Sequence, residues 1–225
     1  MRSWLQLPGS GTVPVGAPLK TQLQGAGFAP ESVKWIVLSN LRIDHIGAVR
    51  DFPNARVVVS KTEREYARDS ASGAATADLD EVSNWKFIAF ASAPPIATFG
   101  AHVDLFGDGG CLLIDAAGST PRTMALLVRL PQRPVFLADD MAAVQETVRH
   151  AAKPASVYDA AEWWDHIWRL KRFKDLSPDL LVVPGHDLEP LLTAGAVDVT
   201  VHPFAPPPSA SPTPRPIERF LPGPM

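Results

Sequence analysis

The residues Leu38-Ser39-Asn40-Leu41-Arg42-Ile43-Asp44-His45-Ile46-Gly47 decide how this chain is read, because they set an Asp-His pair just after a segment with the character of a buried strand. That segment, Val33-Lys34-Trp35-Ile36-Val37-Leu38, is rich in β-branched and aromatic side chains, which suit the interior of a sheet. Imidazole and carboxylate delivered together at a strand end are the donor types that hold a divalent ion, provided other loops bring partners.

Reading outward, Leu19 to Gly27 suits a short helix with a glycine stop, Arg56-Val57-Val58-Val59-Ser60 is a second buried strand, and Thr62 to Arg68 begins a helix. Asp69 to Asp80, rich in Ala, Ser, Gly and Thr, reads as a polar insertion. Five apolar runs follow: Trp85 to Phe90, Ala101 to Phe106, Cys111 to Asp115, Ala125 to Leu130 and Pro134 to Leu137. Their spacing predicts an antiparallel sheet, with Asp108-Gly109-Gly110 as a hairpin turn. Asp159 to Lys174 carries a helical apolar stripe, and Leu180 to Val183 is a last strand that runs into Pro184-Gly185-His186-Asp187. Asp140, after Phe136-Leu137-Ala138-Asp139, and His186 thus join Asp44 and His45 at strand ends. Two imidazoles and two carboxylates suit zinc, iron or manganese. Asp187 is read as a helix cap, and His102, His150, His166 and His202 have no ligand-like context.

Composition sets the outer limits. The chain has 225 residues, 46% of them hydrophobic, enough for one domain with a sizeable core. With 21 basic and 24 acidic residues its formal charge of −3 gives no field that favours nucleic acid or an anionic membrane, so neither is expected as a partner. The single cysteine, Cys111, sits in an apolar run and is expected in the core, and it excludes a cysteine-type structural zinc site. No secretory signal or membrane span is recognised, so a cytoplasmic location is expected. Many of the 23 prolines crowd into residues 203–225, read as a disordered tail after a domain over residues 1–202.

From Leu19 to Leu188 the chain resembles the metallo-β-lactamase superfamily, most nearly its lactonase-like members of the N-acyl homoserine lactonase type. The motif at residues 38–47 resembles the family's His-x-His-x-Asp-His signature, and Ser60-Lys61-Thr62-Glu63 resembles its Ser-x-x-Glu. Gly118-Ser119-Thr120-Pro121 is similar to a Gly-His-Thr-Pro motif, Asp140 to the bridging aspartate, and His186 to the last histidine. The resemblance implies an α+β fold, the αββα sandwich, with an incomplete N-terminal sheet, because Met1 falls almost at the family's first helix. The sheet edge so exposed invites a homodimer.

By the same resemblance, Asn40, Arg42 and Ser119 stand at the histidine positions of the family's first metal site, as lost ligands. Asp44, His45, Asp140 and His186 keep the second. What this implies is a hydrolase-like protein, a one-metal lactone or ester hydrolase acting on a small-molecule substrate, with zinc first among the divalent metals. Asp44 and Arg42 are then the catalytic residues, and Arg42 and Tyr158 bind substrate. Arg42 projects toward the place of the first ion, where it either polarises a substrate carbonyl or neutralises a carboxylate cluster by pairing with Asp140. The alternative is a catalytically inactive, metal-free homologue that acts as a binding protein.

Overall fold

In the computed structural model, residues 19–25, 27–68, 79–187 and 190 are described. In chain order the elements are α1 (Leu19–Gly25), β1 (Trp35–Val37), α2 (Ile43–Ile46), β2 (Arg56–Ser60), α3 (Lys61–Tyr66) and β3 (Trp85–Ile88). Then come β4 (His102–Asp104), β5 (Cys111–Asp115), β6 (Met124–Arg129), β7 (Pro134–Asp139), α4 (Gln145–His150), α5 (Ala160–Leu176) and β8 (Leu181–Pro184). One sheet has the order β1-β2-β3 and the other β4-β5-β6-β7-β8.

Alternation along the central strands builds the layers. Val57 and Val59 of β2 join a core with Leu38, Leu41, Ile46 and Val49, on the side of α2. Val58, between them, faces the other way and packs with Ile88, Phe90, Leu113 and Met124 in the seam between the sheets. In β5 the pattern repeats: Leu113 enters the seam, while Leu112 and Ile114 face Phe99, Phe136 and the apolar stripe of α5. That stripe is Trp163, Ile167, Leu170 and Phe173, all fully buried, and Asp159 caps the helix by accepting from the N–H groups of Ala161 and Glu162 at 2.8 and 3.0 Å. Each such burial is worth about 1.5–3 kcal/mol. Helix, sheet, sheet and helix are stacked as the αββα sandwich requires.

The pairing corrects one expectation. Trp85 to Phe90 was grouped with the antiparallel runs, but β3 pairs in parallel with β2, with Val57 opposite Trp85. A parallel neighbour needs a crossover, and α3, directly after β2, begins it. The four runs β4 to β7 are antiparallel as expected, whereas β8 adds in parallel to β7. The strands β7 and β8 therefore end at the same edge. Most of the Asp69 to Asp80 insertion, residues 69–78, and the tail over 203–225 lie outside the described residues, while Leu79 is fully buried. Among the described residues no helix is long and apolar enough to cross a membrane.

Candidate metal centre

Three strand ends meet at the site. From β1 the chain passes through buried Leu38, Asn40 and Leu41 to Arg42, whose extended backbone starts α2. Buried Ile46 anchors that helical turn and leaves Asp44 and His45 on its outer side. The Ser39 carbonyl accepts the Met124 N–H at 2.8 Å, fastening this loop to β6 of the other sheet. From β7, Asp139 leads into a 3₁₀ turn over Asp140–Ala142 held by the buried side chains of Met141 and Ala142. From β8, Gly185 and His186 donate backbone N–H groups to the carbonyls of Ala142 and Ala143 at 3.2 and 2.8 Å. Asp187 accepts the N–H of Gln145 at 3.1 Å and so caps α4, as expected from the sequence.

The four ligand-type residues converge. His186 Nε2 lies 3.1 Å from Asp140 Oδ1, His45 Nε2 lies 3.2 Å from Asp140 Oδ2, and His45 Nε2 lies 3.7 Å from Asp44 Oδ1. The two imidazole rings stand edge to face with centroids 6.1 Å apart. Donor atoms bonded at about 2.0–2.2 Å to a tetrahedral ion are separated by roughly 3.3–3.6 Å, and the 3.1, 3.2 and 3.7 Å spacings here bracket that range. His45 Nε2 is moreover buried and makes no well-directed hydrogen bond despite its carboxylate neighbours. An orphaned nitrogen facing two carboxylates and a second imidazole is the chemistry of a divalent-ion cradle, so these residues fit a metal.

The electrostatics are strong. Burial opposes a charge on His45, but Asp140, Asp139 and Asp44 outweigh it and raise its pKa to about 9. For Asp140 burial acts upward, yet contacts with His186 and His45 hold its carboxyl far below the usual range. Asp140 in turn raises His186. Burial pushes the Asp139 carboxyl up, against the pull of His45.

The lost-ligand positions behave differently from one another. Asn40 is fully buried and its Nδ2 donates to Asp140 Oδ2 at 3.1 Å and to Asp139 Oδ2 at 3.3 Å. Its Oδ1 accepts the Arg42 N–H at 2.9 Å. The partner expected for Asp140, the Arg42 guanidinium, is exposed instead and makes no ion pair among the described residues. The reason is local: Arg42 opens α2 with its backbone tied to Asn40, and the shorter carboxamide takes the inward place. Ser119 Oγ shares a hydrogen bond with Thr123 Oγ1 at 3.0 Å. Tyr158 is 58% exposed, rests edge-on against Tyr66, and donates its N–H to the Ser119 carbonyl at 3.3 Å, so it borders the Ser119 loop.

Two residues escaped the sequence reading. Asp139 lies against His45 Nδ1 at 3.6 Å, and only the Asp139-Asp140 doublet hinted at it. Glu63 is buried and accepts the Thr120 hydroxyl and, at 2.7 Å, the Arg122 N–H, so it holds the loop that carries Ser119. Its place in Ser60-Lys61-Thr62-Glu63 marked the motif without revealing that role. His102 and His166 place Nδ1 against the carbonyls of Pro94 and Ala117, away from the four converging side chains.

Comparison with known proteins follows the same lines. The chain is 31% identical over 172 residues to the N-acyl homoserine lactonase AttM of Rhizobium radiobacter, covering 74% of this chain and 62% of that protein. It therefore spans about three fifths of the length of that relative. Among solved structures, AiiA of B. thuringiensis with N-decanoyl-L-homoserine bound at its active site is similar with a TM-score of 0.65 at 22% identity, over 81% of this chain and 66% of that one. AidC, a dizinc quorum-quenching lactonase, is similar with a TM-score of 0.50 at 20% identity, over 73% and 61%. The pattern of the Metallo-beta-lactamase superfamily matches residues 9–186. Since that match takes in both sheets and all four converging side chains, the chain belongs to the metallo-beta-lactamase superfamily.

Proposed function

We propose that this cleft holds a single divalent ion, zinc in the first instance, on Asp44, His45, Asp140 and His186, and hydrolyses a lactone or related ester. The observation that carries the reading is the convergence of those donors: His186 Nε2 and His45 Nε2 lie 3.1 and 3.2 Å from the two Asp140 oxygens, Asp44 Oδ1 lies 3.7 Å from His45 Nε2, and that nitrogen is buried without a well-directed hydrogen bond. The AttM and AiiA relatives, both named or shown with homoserine-lactone chemistry, support the substrate class. A bound ion would supply a Lewis acid and lower the pKa of water at the cleft.

The protein's own groups divide the remaining work. Asp140, buried, and His45, mostly so, hold position. Asp44 has 29% of its side chain exposed beside His45, so it can take a proton from an attacking water. Arg42 is exposed on the same turn and offers a fork of donors to the oxygen that gains charge as the carbonyl is attacked. Tyr158, at the rim by Ser119, adds an aromatic face and a hydroxyl for the substrate. In this reading Asn40, Arg42 and Ser119 replace the ligands of a second ion, in contrast to the dizinc AidC. Metal analysis of purified protein, paired with hydrolysis of an N-acyl homoserine lactone, tests it. About one ion per chain and chelator-sensitive turnover, both lost in His186→Ala, are expected, and a metal-free protein overturns it.

A second reading rests on the same Asn40. Its carboxamide, together with His186, already satisfies both oxygens of Asp140 without any ion. On that reading the chain is a metal-free binding protein, and lactone binding by calorimetry is unchanged by chelator.

A further inference from the structure

Asp139 closes β7 with φ 49° and ψ −141°, a left-handed backbone that favours glycine and strains a residue with a Cβ. Its peptide is also clamped from the side: a Cβ on Gly185 would stand 2.8 Å from the Asp139 carbonyl carbon, so the strand end that presents His186 packs directly on it. Strain of this kind persists only where the surroundings impose it, and a glycine would relieve it. What the aspartate adds is its side chain.

That side chain lies behind the His45 ring. Asp139 Oδ1 is 3.6 Å from His45 Nδ1, and Oδ2 accepts from Asn40 Nδ2 at 3.3 Å. The Ser39 hydroxyl, 3.5 Å from His45 Nδ1, lies on the same side of the ring and also accepts from Asn40 Nδ2 at 3.4 Å. The opposite ring nitrogen, Nε2, faces Asp44 and Asp140. An imidazole whose Nδ1 faces a carboxylate at ion-pair distance is biased to carry its proton there and to present Nε2 to an ion in a fixed direction.

We propose that Asp139 is a positioning residue: together with Ser39 it fixes the His45 ring so that Nε2 is offered to the ion, and the strained backbone at residue 139 is the cost of placing its carboxylate there. The inference rests on the single-ion reading above.

Zinc titration by calorimetry and thermal melts of chelator-treated protein test it on wild type, Asp139→Gly, Asp139→Ala and Asp139→Asn. Asp139→Gly is expected to melt roughly 3 °C or more above wild type, because the strain is gone, while its zinc affinity falls roughly 10–100-fold. Asp139→Ala keeps a Cβ and loses the carboxylate, so it shows the affinity loss without the rise in Tm. Asp139→Asn keeps an acceptor oxygen and recovers most of the affinity. Wild-type affinity in Asp139→Gly, or a lowered Tm in that variant, overturns the proposal. If wild type itself takes up no zinc, the single-ion reading fails and the proposal with it; if wild type binds and Asp139→Gly binds equally well, the assignment of Asp139 alone fails.

Discussion

Asn40 and Asp140, a hundred residues apart, meet at 3.1 Å, and the carboxamide also reaches Asp139 at 3.3 Å. One buried amide group thus serves two adjacent carboxylates from a single nitrogen. Replacing it by aspartate removes both donors and sets a third acid directly beside Asp139 and Asp140. Asn40→Asp should destabilise the chelator-treated protein by about 2–4 kcal/mol, read as a lower urea midpoint. If zinc can settle among the three acids, adding it should restore much of the loss; an unchanged midpoint in the chelated variant would show that the amide contributes nothing.

His45 makes the stability of the metal-free protein depend on pH. Against the pull of burial, the surrounding aspartates raise its folded pKa from 6.5 to about 9. The imidazolium therefore stabilises the fold fully below pH 6.5, and that contribution is lost as pH rises through about 9. Urea unfolding of chelated protein should show a fall of about 2 kcal/mol across this window. His45→Gln should flatten the slope, as should saturating zinc, which takes the place of the proton.

Glu63 gives a second pH signature of the same sign and a different origin. Burial raises its carboxyl above the usual value, although Thr120, Arg122 and the Leu41 backbone donate to it. A raised carboxyl favours the protonated fold, so its contribution is present below pH 4.5 and declines as pH climbs through the folded value. Glu63→Gln keeps an acceptor and sheds the charge, and at pH 8 it should be at least as stable as wild type. Glu63→Ala leaves buried donors without a partner and should lose about 2–4 kcal/mol. Equal denaturation curves for the two variants would refute this account.

Gly118 sits at φ 127°, and a Cβ there would lie 2.5 Å from the backbone nitrogen and Cα of Trp163. Neither backbone nor a fully buried indole can yield cheaply. Gly118→Ala should cost about 3 kcal/mol or more in thermal or urea unfolding and displace the Ser119 loop from the first turn of α5. A crystal structure of the variant with that loop unmoved would contradict the prediction.

Much of this was legible in the one-letter code. The bounds of β2 and β5 coincide with the runs Arg56 to Ser60 and Cys111 to Asp115, because alternation within a strand is a local property. Asp44, His45, Asp140 and His186 were found because polar donors directly after apolar runs stand out, and the fold brings them together. The partner of β3 was not legible: alternation fixes which face is buried, while a neighbour is chosen by a crossover that has no local signature. One of the two readings of Arg42 pairs it with Asp140, but that contact goes to the buried Asn40, two residues earlier, while the guanidinium stays exposed. Asp139 stayed hidden since a dihedral angle is not written in a residue name.

The fastening of Ser39 to Met124 joins a loop of the three-stranded sheet to the five-stranded one, and Asp140 and His186 project from that second sheet. A cation captured between the two sheets would act as a rivet through the seam, adding metal–ligand bonds to the apolar contacts and hydrogen bonds by which the halves already meet. Occupancy would then be felt far from the cleft, and amide exchange at Val58 and Leu113, midway along the joint, would slow on loading.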